Sequence, residues 1–184
     1  MKATDELKKE HEGVRLMLRI LEAVSDKFGG EKNPSSDQLD GIMEFLSIFV
    51  DKCHHGKEEE FLFPALEDAG VPREAGPIGV MLTEHAEGRA LAAKLREAAD
   101  RHKSGDGTAV RDFRTTARDY VALLTQHIEK ENTVLFAMAD ARLDAAKDDE
   151  LFEAFEQLEQ ERIGPGKHEE FHTLLHRLKH EYLD

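Results

Sequence analysis

One cysteine, Cys53, is all the thiol that the 184 residues contain. An internal disulfide framework and a cysteine-based zinc site are therefore excluded. No run of about 18 apolar residues occurs, which excludes a membrane-spanning helix. Positive charge is scarce: 25 Lys and Arg stand against 39 Asp and Glu, a formal net charge of -14. Nucleic acid and anionic lipid would be repelled by that field. Glycine and proline are few, 13 and 5, and they cluster, so breaks between elements are rare and well marked. The segment Met1 to Glu12 is mostly charged and lacks the apolar core of a signal peptide. The expectation is a soluble, cytoplasmic protein whose length suits about one domain.

What the chain has is charge and helical periodicity. A composition 40% hydrophobic and 35% charged suits long solvated helices. Turn signals fall at Gly29-Gly30 with Asn33-Pro34, at Gly70-Val71-Pro72 with Gly76-Pro77, at Ser104 to Gly107, and at Gly164-Pro165-Gly166; a softer break falls near Lys147-Asp148-Asp149. Between them the apolar residues recur with a 3.6-residue period. Leu7, Val14, Leu18, Leu21 and Val24 form one stripe; Leu39, Met43, Leu46, Phe49, Val50 and Cys53 form another. Leu82, Leu91 and Leu95 mark a third, and Phe113, Tyr120, Leu124 and Leu135 a fourth. The pattern predicts long helices over roughly 4–28, 36–69, 77–103 and 108–146, then shorter ones over 148–161 and 166–182. Short connections between long helices predict an all-α fold: an up-down-up-down four-helix bundle, 1–146, carrying a C-terminal helical extension, 147–184.

The ten histidines are the unusual count, and eight of them are patterned. His54, Lys57, Glu58, Phe61, Leu62 and Phe63 align in one register with His127, Lys130, Glu131, Val134, Leu135 and Phe136. Upstream, Glu10-His11 with Arg15 matches Glu84-His85 with Arg89. This repeat selects His54 over His55 and Glu58 over Glu59. Helical phase agrees, since His55 lies about 200° from Cys53 on the apolar stripe, and so on the solvent face.

In an antiparallel pair, residues equidistant from the turn stand level. The midpoints of His11 and His54, of His54 and His85, and of His85 and His127 each fall inside a turn. All four imidazoles are thus expected at one height. Glu58 and Glu131, each four residues after a histidine, share its face about 5.4 Å along. Four imidazoles and two carboxylates converging in a core need a cation to neutralise them. Six donors exceed one tetrahedral zinc and suit two metals sharing both carboxylates. Imidazole with carboxylate suits Fe, with Zn or Mn as substitutes. The histidine-rich set favours an accessible Fe(II)/Fe(III) couple, and thus binding or redox turnover of small molecules over oxidative storage.

The pattern of His11, His54-x-x-x-Glu58, His85 and His127-x-x-x-Glu131 resembles the hemerythrin-like HHE cation-binding family over about 4–140. The resemblance implies a non-haem di-iron centre, with bridging oxo or hydroxo, held by His11, His54, Glu58, His85, His127 and Glu131. Oxygen-carrying hemerythrins have a further histidine one turn after the third-helix one. Arg89 stands there, which tells against reversible oxygen carriage and implies a more open or differently capped iron pair. The expected function is binding or reduction of a small oxidant such as O2, peroxide or NO, with peroxide disproportionation or NO reduction as its enzymatic form. The alternative is a non-catalytic module that signals iron or oxygen status to a protein partner.

Other residues read more plainly. His168-Glu169-Glu170-Phe171-His172 matches the zincin helix motif but lacks a third ligand further on. With His176 and His180 it forms a flank beside Phe171, Leu174, Leu175, Leu178 and Tyr182, expected to be solvated with His168 partly buried. Cys53 reads as a buried thiol, Tyr120 as core, and Arg15 and Arg89 as ion-pair residues. Glu10 and Glu84 are candidate outer partners of the metal-bound histidines. His55 and His102 are expected to be exposed, as are the acidic runs Glu58-Glu59-Glu60 and Asp148-Asp149-Glu150 apart from Glu58.

Overall fold

The computed structural model describes residues 1–184 and is helical throughout, with no strand. Helix α1 is Lys2–Lys27. Helix α2, over 36–68, begins as Ser36–Glu44, continues through π-helical turns at Phe45–His55 and Glu58–Leu62, and ends as Phe63–Asp68. Helix α3 is Pro77–Lys103. Helix α4, over 109–142, comprises Ala109–Lys130, a π-helical turn Glu131–Leu135 and Phe136–Arg142. Helices α5 (Ala145–Arg162) and α6 (Lys167–Tyr182) complete the chain. No helix is long and apolar enough to cross a membrane.

Local chemistry explains the boundaries. Ser35 caps α2 through a reciprocal box: its side chain accepts from the Gln38 amide, and Gln38 accepts from the Ser35 amide. Pro77 opens α3, where its missing N–H is no loss. At the turn after α1, Gly29 has φ +77, and a Cβ there would sit 2.5 Å from Val110 Cγ2. The expected break near Lys147 lies earlier. Helix α4 stops at Arg142, and Asp144 caps α5 by accepting from the Lys147 amide. Asp148 is also not solvated, as its run suggested. It is buried and accepts from the Lys2 and Ala3 amides at 2.9 Å each. It thereby satisfies the orphan donors at the start of α1 from another helix.

The π turns coincide with the candidate ligands His54, Glu58 and Glu131. Proline is not their cause: Pro64 follows the turn in α2, but its counterpart in the repeat, Ala137, follows the one in α4. A π turn advances less angle per residue than the about 100° of an α-helix. Consecutive residues can therefore reach the same side.

Apolar packing divides into two clusters. In α1, Ala3 and Leu7 belong to one, and Val14 to Val24, with Phe28 just past the helix end, to the other, with His11 between. In α2 the boundary runs through His54 and Glu58, in α3 through His85, and in α4 at His127 and Glu131. A single polar layer crosses the core at the height that the turns predicted. Helix α5 adds Leu151 and Phe155 to one cluster, and α6 adds Phe171, Leu175 and Leu178 to the other.

The borrowed cap gives a direct test. Asp148→Ala is expected to lower the unfolding free energy in urea by about 1 kcal/mol. Asp149→Ala, which removes only an exposed pair with Lys2, is expected to leave it unchanged within error, because solvent screens that pair.

Candidate metal centre

His11, His54, His85 and His127 are each at most 2% exposed, and Glu58 and Glu131 are fully buried. All four rings turn Nδ1 outward to an oxygen acceptor. His54 Nδ1 donates to Glu10 at 2.7 Å, His127 Nδ1 to Glu84 at 2.9 Å, His85 Nδ1 to Glu59 at 2.7 Å, and His11 Nδ1 to Asn132 Oδ1 at 2.9 Å. A ring that donates through Nδ1 presents a lone pair at Nε2 when neutral. The inward nitrogens meet in pairs: His54 with His11 at 2.9 Å, and His85 with His127 at 3.1 Å. Facing lone pairs at that separation repel unless a proton or a metal ion lies between them.

The carboxylates span the two pairs. Glu58 places one oxygen 3.7 Å from His54 Nε2 and the other 3.4 Å from His85 Nε2. Glu131 places one oxygen 3.1 Å from His11 Nε2 and the other 3.1 Å from His127 Nε2. None of these four oxygens makes a geometrically sound hydrogen bond. Unpartnered buried carboxylates are costly, and a cation coordinated by them removes that cost. Two donor groups can each gather on one ion: His11, His54, Glu58 and Glu131, and also His55, Glu58, His85 and His127. These residues fit a cation, and their donors are all imidazole and carboxylate, with no thiolate. Cys53 is buried beside the layer, and burial, with the Glu10 charge adding, pushes its thiol up.

Without metal, protons take the cation's place. Burial opposes charge on His85, but its contacts with the Glu131 and Glu58 carboxylates and its hydrogen bond to Glu59 outweigh that and raise its pKa to about 11. His54 and His127 rise for the same reason: burial opposes, and Glu58 and Glu131 respectively lead the attraction. Glu131 moves the other way. Burial alone would raise it, yet the charge of His127 and its contacts with His11, His127 and His85 hold it well below the usual carboxylate range.

Around the layer the repeat builds an outer shell twice. Glu10 bonds His54 and also Lys57 Nζ at 2.5 Å. Glu84 bonds His127 and also Lys130. The glutamate before one histidine thus serves the next histidine of its half, and the lysine three residues after that histidine neutralises it. The shells differ in burial. Helix α5 covers the first, where Glu159 reaches Lys57 at 3.2 Å and Lys57 is 1% exposed. The second is open, with Lys130 39% exposed.

Several sequence expectations need correction. His55 is 4% exposed, not on the solvent face, and neither ring nitrogen has a hydrogen-bond partner. The π turn Phe45–His55 is the physical reason, because it lets His54 and His55 both point inward. His102 is half-buried, its ring 4.7 Å from that of Phe28. Glu59 is not a solvated acid: it accepts from His85 and pairs with Arg89 at 2.6 Å. Asn132, its counterpart in the repeat, was missed, although its place directly after Glu131 was a usable signal. Arg89 pairs with Asp51 and Glu59, and Arg15 with Glu12 and Glu129, as expected of ion-pair residues. His172, His176 and His180 are exposed and His168 is half-buried. A cavity of about 190 Å³ lies beside His55, lined in part by Asp51, Gly88, Arg89 and the buried Tyr120 as well.

Comparison with known proteins places this arrangement. Residues 2–139 match the model of the Hemerythrin HHE cation binding domain. Uncharacterized proteins of Mycobacterium tuberculosis and Mycobacterium bovis are similar, 27% identical over 165 residues that cover 88% of this chain. The chain spans 63% of the length of these curated relatives. No solved structure matches.

Two outcomes follow from the geometry. Groups whose folded pKa is raised, here His54, His85 and His127, stabilise the metal-free fold below the unfolded imidazole value of about 6.5. That contribution is lost as pH rises through their folded values, about 11 for His85. Tm of the metal-free chain is therefore expected to fall between roughly pH 7 and 10, and that of the metal-loaded chain to fall less, as scanning calorimetry can show. Glu84→Ala is expected to weaken metal binding about 10–100-fold by titration calorimetry. It should leave the fold intact, because Lys130 can reach solvent.

Proposed function

This chain belongs to the hemerythrin HHE cation-binding family, and from that premise we propose that it is a cytoplasmic non-haem di-iron protein that binds or reduces a small oxidant. In this reading the bundle runs up-down-up-down, His11 and His54 would hold one iron, His85 and His127 would hold the other, and Glu58 and Glu131 would be shared between them. The observation that carries the reading is the span of the two carboxylates, each with one oxygen toward either histidine pair. Imidazole-rich ligation with two shared carboxylates suits Fe, with Zn and Mn as competing occupants.

Bound iron would supply one-electron steps to O2, peroxide or NO. The chain's own residues do the rest. Glu10, Glu59, Glu84 and Asn132 fix the ring orientations and tautomers, so each Nε2 is ready to coordinate without reorganisation. Two apolar clusters seal the layer above and below, which keeps bulk water from the reacting atoms. The cavity lined by Asp51, His55 and Arg89 is large enough for a diatomic or peroxide-sized molecule. Disproportionation consumes two peroxides and releases one O2 and two waters, so it needs no external reductant.

Protein expressed with supplemented iron is expected to hold about two Fe per chain and to show a charge-transfer absorption on oxidation. Glu58→Ala is expected to lose the absorption and any oxygen evolution from peroxide. Metal-free wild-type protein under those conditions would overturn the reading. Two irons without turnover would favour a sensing module that acts through a protein partner.

A further inference from the structure

We propose that His55 is a metal ligand, a third imidazole on the His85/His127 side, so that the two metal positions are unequal. The inference rests on the reading of the layer as a site for a metal pair. It adds a residue that the repeat does not contain.

His55 is buried, and both of its ring nitrogens lack a hydrogen-bond partner; Asp51 Oδ1, 3.6 Å away, accepts from Arg89 and makes no hydrogen bond to His55. A buried, unsatisfied polar group costs about 1–3 kcal/mol. The equivalent position in the second half is Ile128, also buried and packed in the core. An apolar residue therefore suits this place in the fold. A histidine there is unexplained by packing and needs a partner that the polypeptide does not provide.

Its neighbours identify that partner. The His55 ring stacks on that of His85, with centroids 3.8 Å apart and planes 14° from parallel, and stands edge-on to His127. One ligand atom each from His55, Glu58, His85 and His127 lies within 4.8 Å of all the others. Donors that share a central ion at about 2.0–2.1 Å span at most about 4.2 Å, and because imidazole lone pairs lie in the ring planes, the His55 ring must tilt off the face of His85 to share its ion. The opposite group, His11, His54, Glu58 and Glu131, holds two imidazoles. Two metals would then bind in distinguishable steps.

The test is anaerobic Fe(II) titration of wild type, His55→Leu and His55→Ala, with thermal melting of each metal-free protein. Wild type is expected to take two Fe(II). His55→Leu is expected to weaken one step by more than the roughly 10–100-fold that loss of an outer partner costs. Its metal-free Tm should be equal or higher, since leucine buries no unsatisfied nitrogen. In His55→Ala, added imidazole should restore the weakened step by entering from the adjoining cavity. The proposal is overturned if His55→Leu binds two Fe(II) with wild-type affinities, or if it lowers the metal-free Tm while metal binding is unchanged. The first of these leaves the di-iron reading standing; wild type that takes no Fe(II) removes both.

Discussion

The structure depends on a slab of polar donors laid across an apolar core. Four imidazole nitrogens face one another in pairs, and four carboxylate oxygens lie among them without hydrogen-bond partners. Neither solvent nor backbone satisfies these groups. The fold must supply positive charge at this height, as protons on the histidines or as cations held by the whole set. Everything else serves that layer: the apolar clusters on either side exclude water, and the π turns carry His54, His55, Glu58 and Glu131.

The same constraint explains the outer shell. A histidine that coordinates through Nε2 needs an acceptor at Nδ1, and each of the four has one. Glu10 and Glu84 then need a cation of their own, which Lys57 and Lys130 provide. Charge is balanced layer by layer outward from the centre. The buried lysine is tolerated because Glu10 and Glu159 both contact it and Phe155 lies beneath its head group.

Duplication built the two halves alike, and the departures from duplication are informative. Glu59 and Asn132 occupy equivalent places, yet one gives His85 a carboxylate partner and the other gives His11 an amide. A carboxylate makes the ring a stronger donor than an amide does, so the halves differ electronically. Helix α5 covers only the first half, leaving Lys57 dry and Lys130 wet. His55 against Ile128 extends the same asymmetry into the donor layer itself.

The helices, their order and the level of the four histidines were legible in the sequence, because helical period and short turns fix height along a rod. Glu58 and Glu131 were legible because a step of four residues preserves the face. Two things were not. Angular phase failed at His55, since a π turn shifts the phase of the residues it contains and has no local residue signature, as Pro64 and Ala137 show. Cross-helix partners failed at Glu59, Asn132 and Asp148, because a surface-looking polar side chain becomes a ligand clamp or a helix cap only when another helix brings a donor to it. Sequence therefore determined which residues share a level. Tertiary packing alone decided which pairs face each other, since azimuth around a helix and the reach of one side chain to another depend on how the rods are turned.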